Sequence, residues 1–404
     1  MKKLLFIILV FITFVSYSQT AEEYFKRGVS KANLEDYTGA ETDFTKSIEL
    51  YPNVSTSVYY NRGFCRFNLE DYQGAIQDFT KAIELDPNDS VNYNSRGKSK
   101  DDLEDYQGAI ADYTKALELN PNYSIAYENR GNSKDNLQDY TGAIADYTKG
   151  IELNPKSSNA YRNRGNSKGN LQDYAGAIAD YTNAIELNPK FSDAYRNRGL
   201  SRANLKDYKG AIADYTNAIE LNPNFSAYLN RGLSKANLED QHGAIADYTK
   251  CIELEPNNSG GYYFKGLSKC KLQDYQGAIV DFTKVIEINP KFSDAYRNRG
   301  LSKANLQDYK EAIADYTKCI ELEPNNGGGY YIRGLSKSKL QDYQGAIADF
   351  TTVIEINPND VDAYFNRGKY KLILNDKNGG CLDWSKSGEL GYADAYKFIK
   401  EYCN

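Results

Sequence analysis

The chain has 404 residues and a formal net charge of −6, and its length is too great for one hydrophobic core, so several domains or a repeat array are expected. The composition favours an array, because one Met, one Trp and one His stand beside 36 Tyr, 31 Gly and 10 Pro. The net negative charge argues against a nucleic-acid partner, which needs clustered Lys and Arg, and a single histidine argues against histidine-based metal sites.

The first predicted element is a signal peptide at residues 1–18. Lys2 and Lys3 precede an apolar run from Leu4 to Val15, and residues 16–18 have a small-x-small pattern. This order of segments is typical of secretory signal peptides. A membrane anchor is the alternative, but it needs roughly 20 apolar residues and this run is shorter. The sequence therefore predicts export to a periplasmic or extracellular space, with no membrane span in the mature chain.

Prolines and glycines recur with one spacing along residues 19–391, and Pro121 and Pro155, for example, lie 34 residues apart. A parallel series of glycines runs from Gly28 to Gly368 and has one member more, so eleven units are expected, the last of them degenerate. The first ten units end near Pro52, Pro87, Pro121, Pro155, Pro189, Pro223, Pro256, Pro290, Pro324 and Pro358.

Each unit has the pattern of two amphipathic helices. In the unit from Ser192 to Asn224, apolar and small residues recur at three- and four-residue steps on both sides of a turn near Asp207. Pro223 ends the second helix, because proline disfavours helix in the residue before it. One hairpin buries too little surface to be stable alone, so neighbouring hairpins must stack. Residues 392–404 are expected to form a C-terminal capping helix.

The repeated unit resembles the tetratricopeptide repeat. The resemblance implies an all-α fold, a right-handed superhelical solenoid of about eleven antiparallel helix–turn–helix repeats whose first helices line a concave groove. It also implies a non-catalytic scaffold that binds a protein or peptide, of the kind found in exported bacterial proteins with such arrays. In the second unit, the residues that match the family pattern are Tyr59, Gly63, Tyr72, Ala75, Phe79, Ala82 and Pro87.

Comparison of the eleven copies with one another assigns most charged residues to the framework. A base precedes every glycine of the series, as Arg62 precedes Gly63, and an aspartate such as Asp78 recurs in every second helix. We predict that these two residues form an ion pair between the helices of each unit. The net charge therefore describes the scaffold and says little about a ligand.

The cysteines and the histidine are predicted to have structural roles. Cys251 and Cys319 stand where other copies carry alanine, so they are expected to be small buried residues. Cys381 and Cys403 lie equally far on either side of Tyr392, and in an oxidising compartment we predict a disulfide between them. His242 stands at an inter-helix turn, in a seventh unit that is one residue short and is expected to be the most irregular. No catalytic residue and no cofactor are predicted.

The first-helix positions that the family directs into the groove form three zones: an apolar zone, a polar zone and, from unit six, a stripe with a leucine after every glycine. The apolar candidates for partner binding are Tyr60, Phe64 and Phe67, and the polar ones are Arg162 and Asn166. The candidates of the stripe are Arg196, Leu200, Leu229, Leu233, Tyr263, Leu267, Arg297, Leu301, Tyr331 and Leu335.

An apolar stripe edged with guanidinium groups suits an extended segment or an amphipathic helix with apolar anchors and acidic groups. The alternative is that the leucines only pack between neighbouring first helices. The predicted function is a scaffold or adaptor of the cell envelope or secreted space that binds a peptide or protein segment in the groove. The second hypothesis is a structural envelope protein that associates with itself and has no groove ligand. The sequence leaves the oligomeric state open.

Overall fold

The computed structural model describes residues 20–52 and 55–403, and all the regular secondary structure in these residues is helical. The predicted signal peptide, residues 1–18, lies outside the described residues. The chain divides into two compact units, the first ending at Leu205 and the second beginning at Lys206. The predicted all-α array of helical hairpins is confirmed, and its right-handed superhelical path stays a prediction.

Odd-numbered helices up to α21 are the first helices of the repeats, and even-numbered helices are the second. The helices of the first unit are α1 (residues 20–32), α2 (Tyr37–Leu50), α3 (Thr56–Asn68), α4 (Tyr72–Leu85), α5 (Ser90–Asp101), α6 (Tyr106–Leu119), α7 (Ser124–Asn136), α8 (Tyr140–Leu153), α9 (Ser158–Asn170), α10 (Tyr174–Leu187) and α11 (Ser192–Asn204). Those of the second unit are α12 (Tyr208–Leu221), α13 (Phe225–Asn237), α14 (Gln241–Leu254), α15 (Ser259–Lys271), α16 (Tyr275–Ile288), α17 (Ser293–Asn305), α18 (Tyr309–Leu322), α19 (Gly327–Lys339), α20 (Tyr343–Ile356), α21 (Val361–Ile373), α22 (Lys377–Glu389) and α23 (Ala395–Tyr402).

One aspartate at the hairpin turn ends the first helix of a repeat and begins the second. In the second repeat, the Asp71 backbone N–H donates to the Arg66 carbonyl at 2.9 Å, and its carboxylate accepts from the Gly74 N–H at 3.0 Å. The first bond closes a Schellman motif and the second is an N-cap. The turn is therefore short because a single residue satisfies backbone groups of both helices.

The residue before this aspartate has a left-handed backbone in every repeat, with φ of 61° at Glu70. Glycine is usual at this position because it has no Cβ to clash with the carbonyl group. None of the eleven residues found there is glycine. They are Glu35, Glu70, Glu104, Gln138, Gln172, Lys206, Glu239, Gln273, Gln307, Gln341 and Asn375.

The predicted ion pairs between the two helices of a repeat are confirmed in both units. Arg62 Nη2 lies 2.6 Å from Asp78 Oδ1, and the Asp78 side chain is buried. Two further contacts were not predicted: Arg66 also binds Asp78, at 3.0 Å, and Arg62 Nη1 donates to Thr45 Oγ1 of the preceding repeat at 3.2 Å. The arginine thus joins neighbouring repeats as well as the two helices of its own.

The C-terminal helix α23 packs on the last hairpin, as the sequence predicts for a capping helix. The Phe398 ring lies 5.2 Å from the rings of both Phe365 and Trp384. Cys381 and Cys403, predicted as a pair, form a disulfide with a Cα–Cα distance of 5.9 Å. This bond ties α23 to α22.

The two helices of the seventh repeat are regular, and the irregularity expected there in the superhelical path stays a prediction. Its helices α13 and α14 have 13 and 14 residues, as in most other repeats. The missing residue shortens only the loop before α13, where the Asn224 side chain caps the helix by accepting from the Ala227 N–H at 3.0 Å. His242 is exposed at the start of α14. Cys251 and Cys319 are buried, as predicted.

Replacement of Asn92 by alanine is expected to raise the free energy of unfolding by about 1–3 kcal/mol. Asn92 is fully buried in α5, and neither of its amide atoms has a hydrogen-bond partner among the described residues. The equivalent residue of the neighbouring repeats is apolar: Val58 or Ala126. Urea denaturation measures the change. Asn94→Ala is the control, since Asn94 accepts from Asn129 at 3.1 Å and its loss should destabilise. A loss of stability in Asn92→Ala would contradict the prediction.

Candidate ligand-binding grooves

The apolar candidates of the first unit line a small cavity between α3 and α5. Tyr60, Phe64 and Phe67 surround a volume of about 220 Å³, and Phe64 is 41 % exposed. The Lys98 ammonium lies 5.5 Å from the centre of the Phe67 ring. The structure therefore brings these three predicted residues together in one accessible cavity with a cation at its rim.

The polar zone of the first unit is tied together by asparagine side chains. The amide of Asn163 donates to Asn132 Oδ1 at 2.9 Å, and the amide of Asn197 donates to Asn166 Oδ1 at 2.9 Å. The Tyr181 hydroxyl donates to the same Asn166 oxygen at 2.9 Å. These bonds connect successive first helices, so the predicted residue Asn166 supports the surface as well as lining two of its cavities.

Two carboxylates lie half-buried in this polar zone, at equivalent positions of α5 and α7. Asp101 accepts from the Ser133 hydroxyl at 2.7 Å, and Asp135 accepts from the Ser167 hydroxyl at 2.5 Å. Burial raises the pKa of both carboxyl groups above the usual value. Each of the two carboxylates is therefore held by a hydroxyl group of the next first helix.

Two of the three predicted arginines are less free to bind a carboxylate than the sequence suggested. Arg162 places its guanidinium 5.3 Å from the centre of the Phe191 ring. Arg196 lies 3.4 Å from Asp193, and Arg297 lies 2.6 Å from Asp294, one helical turn earlier in each case. Each of the last two guanidinium groups already has a carboxylate partner. The spacing of three residues on one helix is the signal that could have revealed these pairs.

The leucine stripe of the second unit forms the largest cavity described here, about 580 Å³ in volume. Leu233, Leu267 and Leu301 line it from the three successive first helices α13, α15 and α17, and Leu301 is 37 % exposed. We call this cavity the leucine groove. Its only charged lining residue is Lys271, at the end of α15.

The remaining candidates of the stripe are divided between cavities and core. Tyr331 and Arg297 line a second cavity of the same unit, about 500 Å³ in volume. Tyr263 packs its ring 4.9 Å from Phe292, and Leu335 packs against the core around Phe350. Leu200, in the first unit, lines a polar cavity, whereas Leu229 is half-buried outside the cavities described. Part of the stripe thus packs against neighbouring side chains and part lines cavities, and partner binding by the stripe stays a prediction.

Several groove residues were missed by the sequence analysis. Cys270 and Lys271 follow the repeat glycine Gly266 by four and five residues and line the leucine groove. Asn298 and Phe264 line it as well. The first two could have been found by extending the comparison of copies beyond the glycine, because the same helical face continues one turn further.

Neither a metal site nor a membrane span is found in the part of the chain that the structure describes. Among residues 20–52 and 55–403, no group of three or more His, Cys, Asp or Glu side chains is placed to hold a metal ion. Within the same residues, no helix is both long and apolar enough to cross a bilayer.

Sequence models of the tetratricopeptide repeat match nearly the whole array. Models described as "Tetratricopeptide repeat" match residues 21–54, 57–89, 92–123, 125–157, 158–191, 192–225, 225–258, 260–292 and 293–326. A model described as "TPR repeat" matches residues 334–372. The chain belongs to the tetratricopeptide repeat family.

Solved structures of other tetratricopeptide repeat proteins are similar to this chain. A tetratricopeptide repeat protein from Parabacteroides merdae has 22% sequence identity and a TM-score of 0.46, over 61% of this chain and 99% of its own. Yeast Tom70 has 16% identity and a TM-score of 0.40, over 95% and 96%. YrrB, described as having an unusual peptide-binding site, has 24% identity and a TM-score of 0.41, over 44% and 92%. No curated relative matches the sequence.

Membership of this family indicates the general function of the chain. Tetratricopeptide repeat arrays are protein-interaction scaffolds, and the fold is typically non-catalytic. The chain is accordingly a protein-interaction scaffold built from stacked tetratricopeptide hairpins.

Proposed function

We propose that this chain is an exported adaptor of the cell envelope or secreted space, which holds a peptide or protein segment against the first helices of its second unit. The leucine groove is the observation that carries the proposal. Leu233, Leu267 and Leu301 keep accessible apolar surface in a cavity large enough for several side chains. Burial of such surface by a partner is favourable by about 25 cal/mol per Å².

The basic and apolar pattern of residues 1–18 supports the export part of the proposal. In an exported setting the Cys381–Cys403 bond would be kept, since oxidising compartments preserve disulfides. The N-terminal mass of the protein recovered from its own cells tests this part. A mature chain that begins after Ser18 in the envelope or medium is expected, and an intact N-terminus inside the cell would contradict export.

Photo-crosslinking in the native cells tests the binding part. A photoreactive residue at position 301, in the leucine groove, is expected to capture a partner protein. The same residue at position 314, an exposed alanine of the second helix α18, is the control and should capture little. Equal yields at both positions, or none at position 301, would contradict the proposal. Crosslinks only between copies of the chain would instead support the self-associating structural protein.

A further inference from the structure

We infer that the polar zone of the first unit binds a neutral oligosaccharide, with one sugar ring in each of two adjoining cavities along the first helices α7, α9 and α11. This site is separate from the leucine groove, because all the residues that line that groove belong to the second unit. Three features lead to the inference: the polar lining of the cavities, the hydrogen-bonding groups left without partners and the balance of charge.

The two cavities adjoin each other and are lined mainly by polar side chains. The first has a volume of about 300 Å³ and is lined by four asparagines, an aspartate, an arginine and a tyrosine. The second has a volume of about 470 Å³, and Leu200 is its one aliphatic lining residue. Asp135 and Asn166 line both cavities. Both volumes lie in the usual range of small-ligand sites, so two neighbouring rings of one ligand have room there.

The amide groups in these cavities are held in place and keep unused donors. Asn132 Oδ1 accepts hydrogen bonds from the Tyr147 hydroxyl at 2.8 Å and from Asn163 Nδ2 at 2.9 Å. Asn166, one repeat later, has the equivalent pair of bonds, both at 2.9 Å. Two bonds to one oxygen fix the orientation of each amide, and the nitrogens of Asn132 and Asn166 donate to no described residue. The cavities therefore contain donors that are already oriented for a ligand.

Arg162 provides further donors in the first cavity. Its guanidinium lies 5.3 Å from the centre of the Phe191 ring, and its Nε is buried without a hydrogen-bond partner in residues 20–52 and 55–403. Arg297 occupies the equivalent position of its own repeat, but it is paired with Asp294 at 2.6 Å. Stacking on Phe191 fixes the guanidinium of Arg162 and leaves its N–H groups for a ligand. A planar cation with unused donors binds oxygen acceptors strongly.

The charge of the first cavity is balanced. Asp135 accepts from the Ser167 hydroxyl at 2.5 Å through one oxygen, and its second oxygen has no donor among the described residues. Arg162 and Asp135 are the charged residues that line this cavity, and no ion pair joins them in the described part of the chain. A charged ligand is attracted by one of these groups and repelled by the other. A neutral ligand that both donates and accepts hydrogen bonds suits both.

Sugar hydroxyl groups meet these requirements, since a hydroxyl donates one hydrogen bond and also accepts. They donate to Asp135 and accept from Arg162 and the asparagine amides. The C–H face of a ring packs on Tyr174 and Leu200 in the second cavity. A peptide gains specificity from side chains that enter pockets between its main-chain contacts, and the first cavity has no aliphatic residue to receive one. The lining therefore favours an oligosaccharide over a peptide.

Isothermal titration calorimetry of the purified protein with neutral tetrasaccharides tests the inference. The probes are linear tetramers of glucose, mannose, galactose and N-acetylglucosamine, and each is compared with its monosaccharide. At least one tetramer should bind, about tenfold or more tightly than its monosaccharide, because it fills two cavities. Tetragalacturonate, which has a carboxylate on every ring, should bind much more weakly. No binding by any neutral tetramer, equal binding by its monosaccharide, or tighter binding by tetragalacturonate would overturn the inference.

Two matched pairs of variants locate the site. Arg162→Leu should weaken binding of the tetramer about tenfold, since hydrogen bonds from a charged group are lost, whereas Arg297→Leu should leave it unchanged. Asp135→Asn should also weaken it about tenfold. Asp101→Asn is the control, because Asp101 accepts from Ser133 at 2.7 Å in the same way, one repeat earlier, and lines neither cavity. Thermal unfolding checks that all four variants are folded. Equal effects within either pair would be incompatible with this site.

A cell-surface polysaccharide and a free oligosaccharide offer the same hydroxyl groups, and sedimentation with washed envelopes of the native cells distinguishes these sources. Protein that sediments with the envelopes and is released by the bound tetramer has a surface polysaccharide as its ligand. Protein that binds the tetramer but stays in solution beside the envelopes has a free oligosaccharide as its ligand.

Discussion

Replacement of Asp146 by alanine is expected to lower the free energy of unfolding by about 3–5 kcal/mol. The Asp146 side chain is buried between α7 and α8, where it binds Arg130 at 2.6 Å and Lys134 at 2.7 Å. Its removal leaves two largely buried cations without a countercharge. Arg130 also donates to Thr114 of the preceding repeat at 3.1 Å, so a displaced arginine would weaken the stacking of repeats as well.

Glu152→Ala is the control for this prediction. Glu152 lies on the same helix and binds Lys149 at 2.8 Å, but both side chains are exposed. Water already solvates such a pair, so the loss is expected to stay below about 0.5 kcal/mol. Urea denaturation followed by circular dichroism measures both variants, and amide hydrogen exchange locates the weakened repeat, since arrays unfold in parts. Equal losses in the two variants would contradict the role given to burial.

Replacement of all eleven left-handed turn residues by glycine is expected to raise the free energy of unfolding by roughly 5 kcal/mol in total. The left-handed backbone costs a residue with a Cβ about 1 kcal/mol of folded-state stability, and glycine removes this cost. The greater freedom of glycine in the unfolded chain offsets about half of that gain. The positions run from Glu35 to Asn375, one in each repeat. Contributions of such separate sites should add.

The single change Gln138→Gly has a close control in Gln77→Gly. Gln138 has a φ of 62°, whereas Gln77 is exposed within the helix α4. The first change should stabilise, and the second should destabilise by about 0.5–1 kcal/mol, because glycine weakens a helix interior. Thermal and urea unfolding of the two variants measure the difference. Stabilisation by both, or by neither, would show that the left-handed backbone carries no strain.

For much of the site, the sequence predicts on which face of a helix a residue lies, but it does not predict what that residue contacts. The sequence assigns Phe64 and Leu301 to the groove-facing side by their distance from the repeat glycine, and both side chains are exposed. Leu335 occupies the same position in its repeat but packs against the core around Phe350. That core is built by the second helix of the same repeat together with Ala363 and Tyr370 of the next one, so the difference depends on the residues that surround each leucine.

The sequence by itself determined the number of repeats, the two helices of each, the ion pair between them and the position of the C-terminal cap. Each of these depends on the type of residue at a recurring position, and eleven copies make that dependence visible in one chain. Only the folded structure showed the left-handed residues such as Glu70, since glutamate does not by itself favour that backbone. It also decided that Lys271 faces a cavity without a partner, because that depends on which side chains three different repeats bring together.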